Sequence, residues 1–349
     1  MRALMLAATL TEGDAVSNET FFMAELLRKS GFECDIYAEN NEKAVRNRLC
    51  GISEIKAKHY DLAIYHVSIA SDVCSLFISL NIPAKIIVYH NITPAHFFDV
   101  SSPLYKLCSD GRKQLNLLKD YADTAICDSE YNRAELLRLG CKNTCVLPIL
   151  ADFYALTSLD PPQKMNYKLK SDSKNILFVG RISPNKCQHD IIKTFRLYHD
   201  KIEPNSQLFL IGKYHPDDAS YRFVRSLADK NVIFTGGISD AELAHFYRNS
   251  AVFLSMSEHE GFGVPLVEAM AFGTPVLAFD SSAVSETLNG GGKIFSEKNY
   301  PFVAEMMDML ACDADLRRKI LAAQHKAMRK YDLEKNANEF LKLVKMAVN

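Results

Sequence analysis

The chain reads as an α/β protein of two doubly wound parallel-sheet domains facing each other across a cleft. Three observations predict this. Short apolar runs of strand length alternate with amphipathic helical stretches along the chain, the pattern of a parallel sheet wrapped by helices. The 349 residues exceed one ordinary domain. A Pro-rich break, Asp160-Pro161-Pro162-Gln163-Lys164, interrupts the alternation near its midpoint and reads as a linker.

In the first half, residues 2–9, 33–38, 62–67, 85–90, 124–127 and 145–150 read as strands. Helices are expected over residues 18–30, with Phe21, Phe22, Leu26 and Leu27 on one side and Gly31 as the stop, and over 130–139, ended by Gly140. In the second half, strands are expected over 175–179, 208–211, 232–235, 251–255 and 276–279, with helices over 189–200, 221–229 and 240–249. The tail from Asp313 reads as helical throughout, and Ala337, Phe340, Leu341, Val344 and Val348 are spaced for one buried face. The domains are drawn at residues 1–160 and 165–334.

Lys and Arg number 41 against 42 Asp and Glu, which argues against a dedicated nucleic-acid binder, since phosphate contacts need a basic excess. The nine cysteines are odd in number and scattered without zinc-ligand spacing, so they read as reduced residues of a cytosolic protein. The apolar start, Met1 to Thr9, reads as a buried strand rather than a signal peptide. No apolar run reaches the roughly 20 residues that span a bilayer. Any membrane role is therefore expected to be peripheral.

In doubly wound sheets, ligands bind beyond the carboxyl ends of the strands, so the strand-end loops are where chemistry is sought. The strongest signal runs from Ser257 to Val276 and contains Glu258-His259-Glu260-Gly261-Phe262-Gly263-Val264-Pro265 and then Glu268. A strand passes through a Gly-rich turn into a helix whose first amides form an anion site suited to a diphosphate. Gly261 and Gly263 permit close approach of backbone to ligand. Each carboxylate of Glu260 and Glu268 can accept two hydroxyl hydrogen bonds, as vicinal diols on two sugars require. The second signal is Gly180-Arg181-Ile182-Ser183-Pro184-Asn185-Lys186 after a strand. Preorganised Arg and Lys stabilise the charge that grows on a departing diphosphate.

The glutamate block resembles the signature of glycosyltransferase family 4, and the likeness extends diffusely through the N-terminal half. The resemblance implies the GT-B fold, a nucleotide-sugar donor and retention of anomeric configuration. It also implies roles. Glu260 would contact the donor-sugar hydroxyls, Glu268 the ribose, and the backbone of Phe262, Gly263 and Val264 the diphosphate and sugar. Arg181 and Lys186 match the family's diphosphate clamp. Gly237 and Ile238 lie where family members hold the base through backbone groups. His90 matches a histidine that contacts the donor sugar, with His96 as runner-up and a structural histidine as the alternative. Asn91 and Thr93 beside it fall on the acceptor side. Thr11-Glu12-Gly13-Asp14-Ala15 offers Gly13 for close approach to the donor, with Asp14 and Asn18 as weaker acceptor-side candidates; a plain turn is the alternative. Asp128-Ser129 reads first as a helix cap. In GT-B proteins the last helix commonly crosses back onto the N-terminal domain, which places residues 335–349 there.

The expected reaction is front-face hexosyl transfer without a protein nucleophile, a metal or another cofactor; no Asp-x-Asp metal motif is expected in the chain. GDP-mannose is placed slightly ahead of a UDP-hexose as donor. A glycan, lipid-linked in a cell-surface polysaccharide pathway, is the expected acceptor. The stretch holding Lys106, Arg112, Lys113 and Lys119 with Leu104, Leu107, Leu115 and Leu118 reads as either an interfacial surface at the inner face of a membrane or a solvated helix face. Another GT-B nucleotide-sugar enzyme, such as an epimerase, and a non-catalytic nucleotide-sugar binder are the rivals. A Rossmann oxidoreductase is disfavoured by the missing Gly-x-Gly-x-x-Gly.

Overall fold

A computed structural model describes all residues from 1 to 349 except 166, 168 and 171. The chain forms two compact units, Met1–Ala151 with Asp332–Asn349, and Asp152–Tyr331.

The first unit holds a six-stranded parallel sheet of order β2-β1-β3-β4-β5-β6. Its strands are β1 (Arg2–Leu10), β2 (Glu33–Asn41), β3 (Leu62–Val67), β4 (Ala84–Tyr89), β5 (Thr124–Cys127) and β6 (Thr144–Val146). Buried on both faces, β3 and β4 are almost wholly apolar. Alternate residues serve opposite cores: Met5, Ile64 and Ile86 point to one face, Leu6, Tyr65 and Ile87 to the other. The helix Leu333–Val348 packs on the first of these cores, with Phe340 and Val344 buried and Leu341 partly so.

The second unit holds a six-stranded parallel sheet of order β12-β11-β10-β7-β8-β9. The strands are β7 (Lys174–Val179), β8 (Ser206–Ile211), β9 (Val232–Gly236), β10 (Val252–Ser255), β11 (Val276–Phe279) and β12 (Lys293–Phe295).

Several boundaries differ from expectation for local reasons. The first helix starts at Ala15 because Asp14 caps it, its carboxylate accepting from the Ser17 amide at 3.0 Å. Strand β6 stops at Val146, short of the expected Leu150 and just before Pro148, which has no amide to offer a ladder. The three-residue edge strand β12 is too short to announce itself by periodicity. The expected linker, Asp160–Lys164, is not the boundary. Just before it, Arg248 Nη2 donates to the carbonyls of Thr157 and Leu159 at 2.8 and 2.7 Å, within the second unit, which begins at Asp152. The amphipathic reading of the helix Pro103–Leu118 is half right. Leu104 and Leu107 are exposed with Lys106 and Lys113, but Leu115 and Leu118 are buried. Arg112 turns inward to Glu135 and to the carbonyl of Ile92.

All nine cysteines are free. Among the described residues, no helix is long and apolar enough to cross a membrane.

Candidate active site

The second sheet changes direction at β7. The chain builds β8 and β9 to one side, then returns to place β10 on the other, pairing Val252 with Ile176 and Phe253 with Leu177. Such a switch point opens a crevice between two strand-end loops that are distant in sequence. Here these loops carry Gly180–Lys186 and Met256–Gly263.

Two glycines bring the first loop into place. The Gly180 amide donates to the Ile211 carbonyl at 2.8 Å, and the chain after β8 passes directly against it. A Cβ on Gly212, which sits at φ +150°, would lie 2.2 Å from the Gly180 carbonyl oxygen. No side chain fits there. Arg181 follows and is exposed.

Lys186 and Glu260, 74 residues apart, meet as an ion pair with Lys186 Nζ donating to both carboxylate oxygens at 2.7 and 2.6 Å. Their side chains keep 20% and 13% of their surface open, so the pair lies at the protein boundary. Asn185 holds the two loops together: the Glu258 amide donates to its carbonyl at 2.8 Å, and its Nδ2 donates to the His259 carbonyl at 3.1 Å. An ammonium has three donors; two are spent on Glu260 and one remains for a phosphate oxygen.

The helix Val264–Ala271 begins at Gly263, whose φ of +93° suits glycine, and no side chain caps its first amides. Leaving those amides without a side-chain acceptor is what an anion site needs. Phe262 is buried among Phe153 and Tyr331 and accepts from Thr287 Oγ1 at 2.6 Å, which anchors the turn from below. Glu268 lies just over one turn into the helix. Burial pushes its carboxyl up to about 7, opposed by the Tyr247 hydroxyl, which donates to its Oε2 at 2.7 Å. Gly237 is exposed and Ile238 half-buried, between β9 and a helix that Ser239 and Glu242 close with a capping box.

The first unit gives a different picture. His90, at the end of β4, is 3% exposed. Its Nδ1 lies 3.0 Å from Asp128 Oδ2 and 3.6 Å from Glu19 Oε2, and its Nε2 lies 2.8 Å from His66 Nδ1. Burial works against the imidazolium, but the charge and hydrogen bond of Asp128 override it and lift His90 to about 9. Burial lifts Glu19 to about 8 despite His90 and holds His66 well below its ordinary value. The consistent assignment is a charged His90 donating to Asp128 and to a neutral His66, with Glu19 keeping its proton. In this structure both nitrogens of the His90 ring face protein partners, His66 and Asp128.

The neighbouring candidates divide between buried and exposed positions. Asn91 is buried and donates to Asn132 Oδ1 at 2.9 Å. Asp14 caps a helix, with Ser17 Oγ also donating to it at 3.0 Å. Gly13 and Asn18 are exposed, Thr93 half-buried, and His96 is exposed with its ring on Phe97. Ser129, not Asp128, caps the helix Glu130–Leu139. Four participants were missed from sequence: Glu19, His66, Asp128 as a His90 partner, and Tyr247. Each lies on a different element from its partner, so no spacing pattern joins them.

Among the described residues, two clusters bring metal-ligating atoms together. Cys187, His189 and Asp190 form one, but Asp190 is already taken by Lys298 Nζ at 2.8 Å and Tyr300 Oη at 2.6 Å. Glu19, His66 and His90 form the other, where ring planes only 5° apart and a 2.8 Å N···N approach describe a hydrogen bond rather than two ligands of one ion. One Asp-x-Asp triplet exists away from the motifs, Asp313-Ala314-Asp315. It is a helix start: Asp313 Oδ1 accepts from the Asp315 and Leu316 amides at 2.9 Å.

With this geometry in hand, the comparisons with known proteins are decisive for the second unit. Residues 161–326 match the model of "Glycosyl transferases group 1". A capsular polysaccharide biosynthesis glycosyltransferase of Staphylococcus aureus is 31% identical over 160 residues, 44% of this chain and 41% of that protein. A phosphatidyl-myo-inositol mannosyltransferase of Mycobacterium leprae is 28% identical over 174 residues, 49% of this chain and 46% of that one. The matches thus span less than half the length of these relatives. Among solved structures, Anabaena HepE in complex with UDP-glucose superposes with TM-score 0.76 at 16% identity, covering 99% of this chain and 100% of that one. The sucrose-phosphate synthase of Thermosynechococcus elongatus gives TM-score 0.75 at 18% identity, covering 99% of each. The two six-stranded parallel sheets of this chain are those of the GT-B fold.

Proposed function

We propose that this chain is a retaining glycosyltransferase that moves a hexose from a nucleotide-diphosphate sugar to a glycan acceptor without a metal. The observation that carries the reading is the meeting of Lys186 and Glu260 at the switch point of the second sheet, beside a helix start whose amides no side chain caps. Cations and amides suit a diphosphate; the two carboxylates suit sugar hydroxyls. Arg181, Lys186 and the amides near Val264 would take up the charge of the departing diphosphate. Glu260 would orient the hexose and Glu268 the ribose. The acceptor hydroxyl would attack from the leaving-group face, so no glycosyl ester to a carboxylate is needed. The second unit takes the donor and the first the acceptor.

Mannose is favoured because several relatives are named mannosyltransferases, the M. leprae protein and a serotype-specific mannosyltransferase of Escherichia coli among them. The UDP-glucose complex of Anabaena HepE supports a UDP-hexose as the second choice. A lipid-linked acceptor and peripheral membrane contact are consistent with exposed Leu104, Leu107, Lys106 and Lys113.

The test is transfer from GDP-mannose, UDP-glucose and UDP-N-acetylglucosamine to a panel of lipid-diphosphate oligosaccharides, with proton NMR of the early product. A retained anomer, formed equally in the presence of a chelator, is expected. An inverted anomer refutes retention, loss of activity in chelator refutes the metal-free clamp, and absence of transfer from every donor refutes the activity.

A further inference from the structure

We propose that Tyr247 is the positioning residue for ribose recognition: by donating its hydroxyl hydrogen to one oxygen of Glu268, it fixes the carboxylate and reserves the other oxygen for a ribose hydroxyl. The inference rests on the assignment of Glu268 to the ribose and deepens it.

Tyr247 is fully buried on the helix Asp240–Arg248. Its ring is held by Phe272, 5.2 Å away at 14°, and by Phe253, 6.1 Å away at 23°. Its carbonyl accepts from Thr274 Oγ1 at 2.7 Å, and the Thr274 amide in turn donates to the Ala269 carbonyl at 2.9 Å. The phenol is therefore fixed relative to the helix Val264–Ala271 at both ends of the residue. Its hydroxyl reaches Glu268 Oε2 at 2.7 Å and lies 3.4 Å from the carbonyl of Pro265, the second residue of that helix. One buried hydroxyl thus ties the carboxylate to the start of the helix proposed to meet the diphosphate. A carboxylate held this way loses little rotamer freedom when a diol binds. Substrate contact is left to Glu268; Tyr247 acts only through it.

The same bond opposes the burial that raises the Glu268 carboxyl. Tyr247 and Asp240, both on the helix Asp240–Arg248, are the ionisable groups acting on it among the described residues, Asp240 raising it. Removing the hydroxyl raises the carboxyl further, so a larger share is protonated near neutrality and is a poorer acceptor for the ribose hydroxyl.

The experiment is calorimetric binding of GDP and UDP, and of their 2′,3′-dideoxy counterparts, to wild type, Tyr247→Phe and Glu268→Gln between pH 5.5 and 8.5. Wild type is expected to prefer the ribonucleotide. Tyr247→Phe should lose about tenfold or more of ribonucleotide affinity, the effect of one hydrogen bond to a charged group, with dideoxynucleotide affinity unchanged. The acid limb of its binding curve should move to higher pH. Glu268→Gln should lose the ribose preference and the acid limb together, and Tyr247→Phe added to it should cost little more. If wild type discriminates but Tyr247→Phe weakens both nucleotides equally, or neither, the role of Tyr247 is overturned while the ribose role of Glu268 stands. If wild type does not discriminate, or binds neither nucleotide, both fall.

Discussion

At the carboxyl edges of its two sheets the molecule gathers ionisable side chains in opposite ways. In the first unit, the side chains of His90, Glu19, His66 and Asp128 are buried and face one another, with His90 Nδ1 3.0 Å from Asp128. In the second, Lys186 and Glu260 pair as closely, at 2.6 Å, but at the protein boundary, with Arg181 exposed nearby. Burial decides what each pair can do. A buried cluster has no water to solvate whatever its members leave unpaired, so each such atom carries a cost. A boundary pair is solvated in the free protein and can exchange partners when a ligand arrives. The first cluster is a buried network that still leaves Glu19 Oε2, His66 Nε2 and Asp128 Oδ1 without hydrogen-bond partners among the described residues, and the second lies where a ligand can reach it.

His90→Ala gives the largest expected effect and the sharpest break between the two edges. It strands Asp128 as a buried charge, so the first unit should lose roughly 3–5 kcal/mol of stability. Nucleotide binding by the second unit should be retained in conditions where the protein stays folded. Denaturant midpoints and calorimetry on one variant decide this; an unchanged midpoint with lost transfer would return His90 to a direct role with substrate.

Lys186→Ala reverses that profile. The proposed clamp predicts a fall in turnover of about 10²–10³, the effect of removing one preorganised donor from a developing oxyanion. The melting temperature should hardly move, since partly exposed ion pairs contribute little. Near wild-type turnover in a steady-state assay would remove Lys186 from the clamp.

Gly212→Ala asks whether the second edge depends on backbone packing. A methyl group 2.2 Å from the Gly180 carbonyl must push the loops apart, at a cost of roughly 1–3 kcal/mol in stability. Diphosphate affinity should fall with it. A variant that melts and binds like wild type would show that the β7 and β8 loops need not touch.

The smallest effect is a pH trend confined to the first unit. Glu19 keeps a proton in the folded state up to about pH 8 and His90 up to about 9, and both values lie above those of the unfolded chain. The folded state therefore holds more protons between neutrality and pH 9, and stability falls as pH rises through that window. Denaturation followed by a probe in the first unit should show a lower midpoint at pH 9 than at pH 6. A midpoint that rises would reverse the assigned protonation.

The two edges also differ in how legible they are. Glu260, Gly263 and Glu268 lie on one turn and the helix after it, so their spacing is a local property that a sequence displays. The same holds for Gly180, Arg181 and Lys186. His90 and Asn91 were legible as strand-end polar residues, yet whether they face outward or into a buried network depends on Glu19, His66 and Asp128. Those come from a helix, another strand and the loop after a third, and no spacing encodes their meeting.

By itself, then, the sequence determined what depends on neighbours along the chain. It set the alternation of strands and helices, the caps at Ser129 and Ser239, the stop at Gly140, and the content of the two loops of the second unit. Only the tertiary structure decided which distant elements meet. The order β12-β11-β10-β7-β8-β9 puts Lys186 on Glu260 across 74 residues. Packing of the helix Asp240–Arg248 puts a phenol on Glu268. Depth turns His90 inward and leaves Lys186 at the boundary. The reason is physical: hydrogen bonds and charge pairs act over a few ångströms in space, and folding, not chain order, sets those distances.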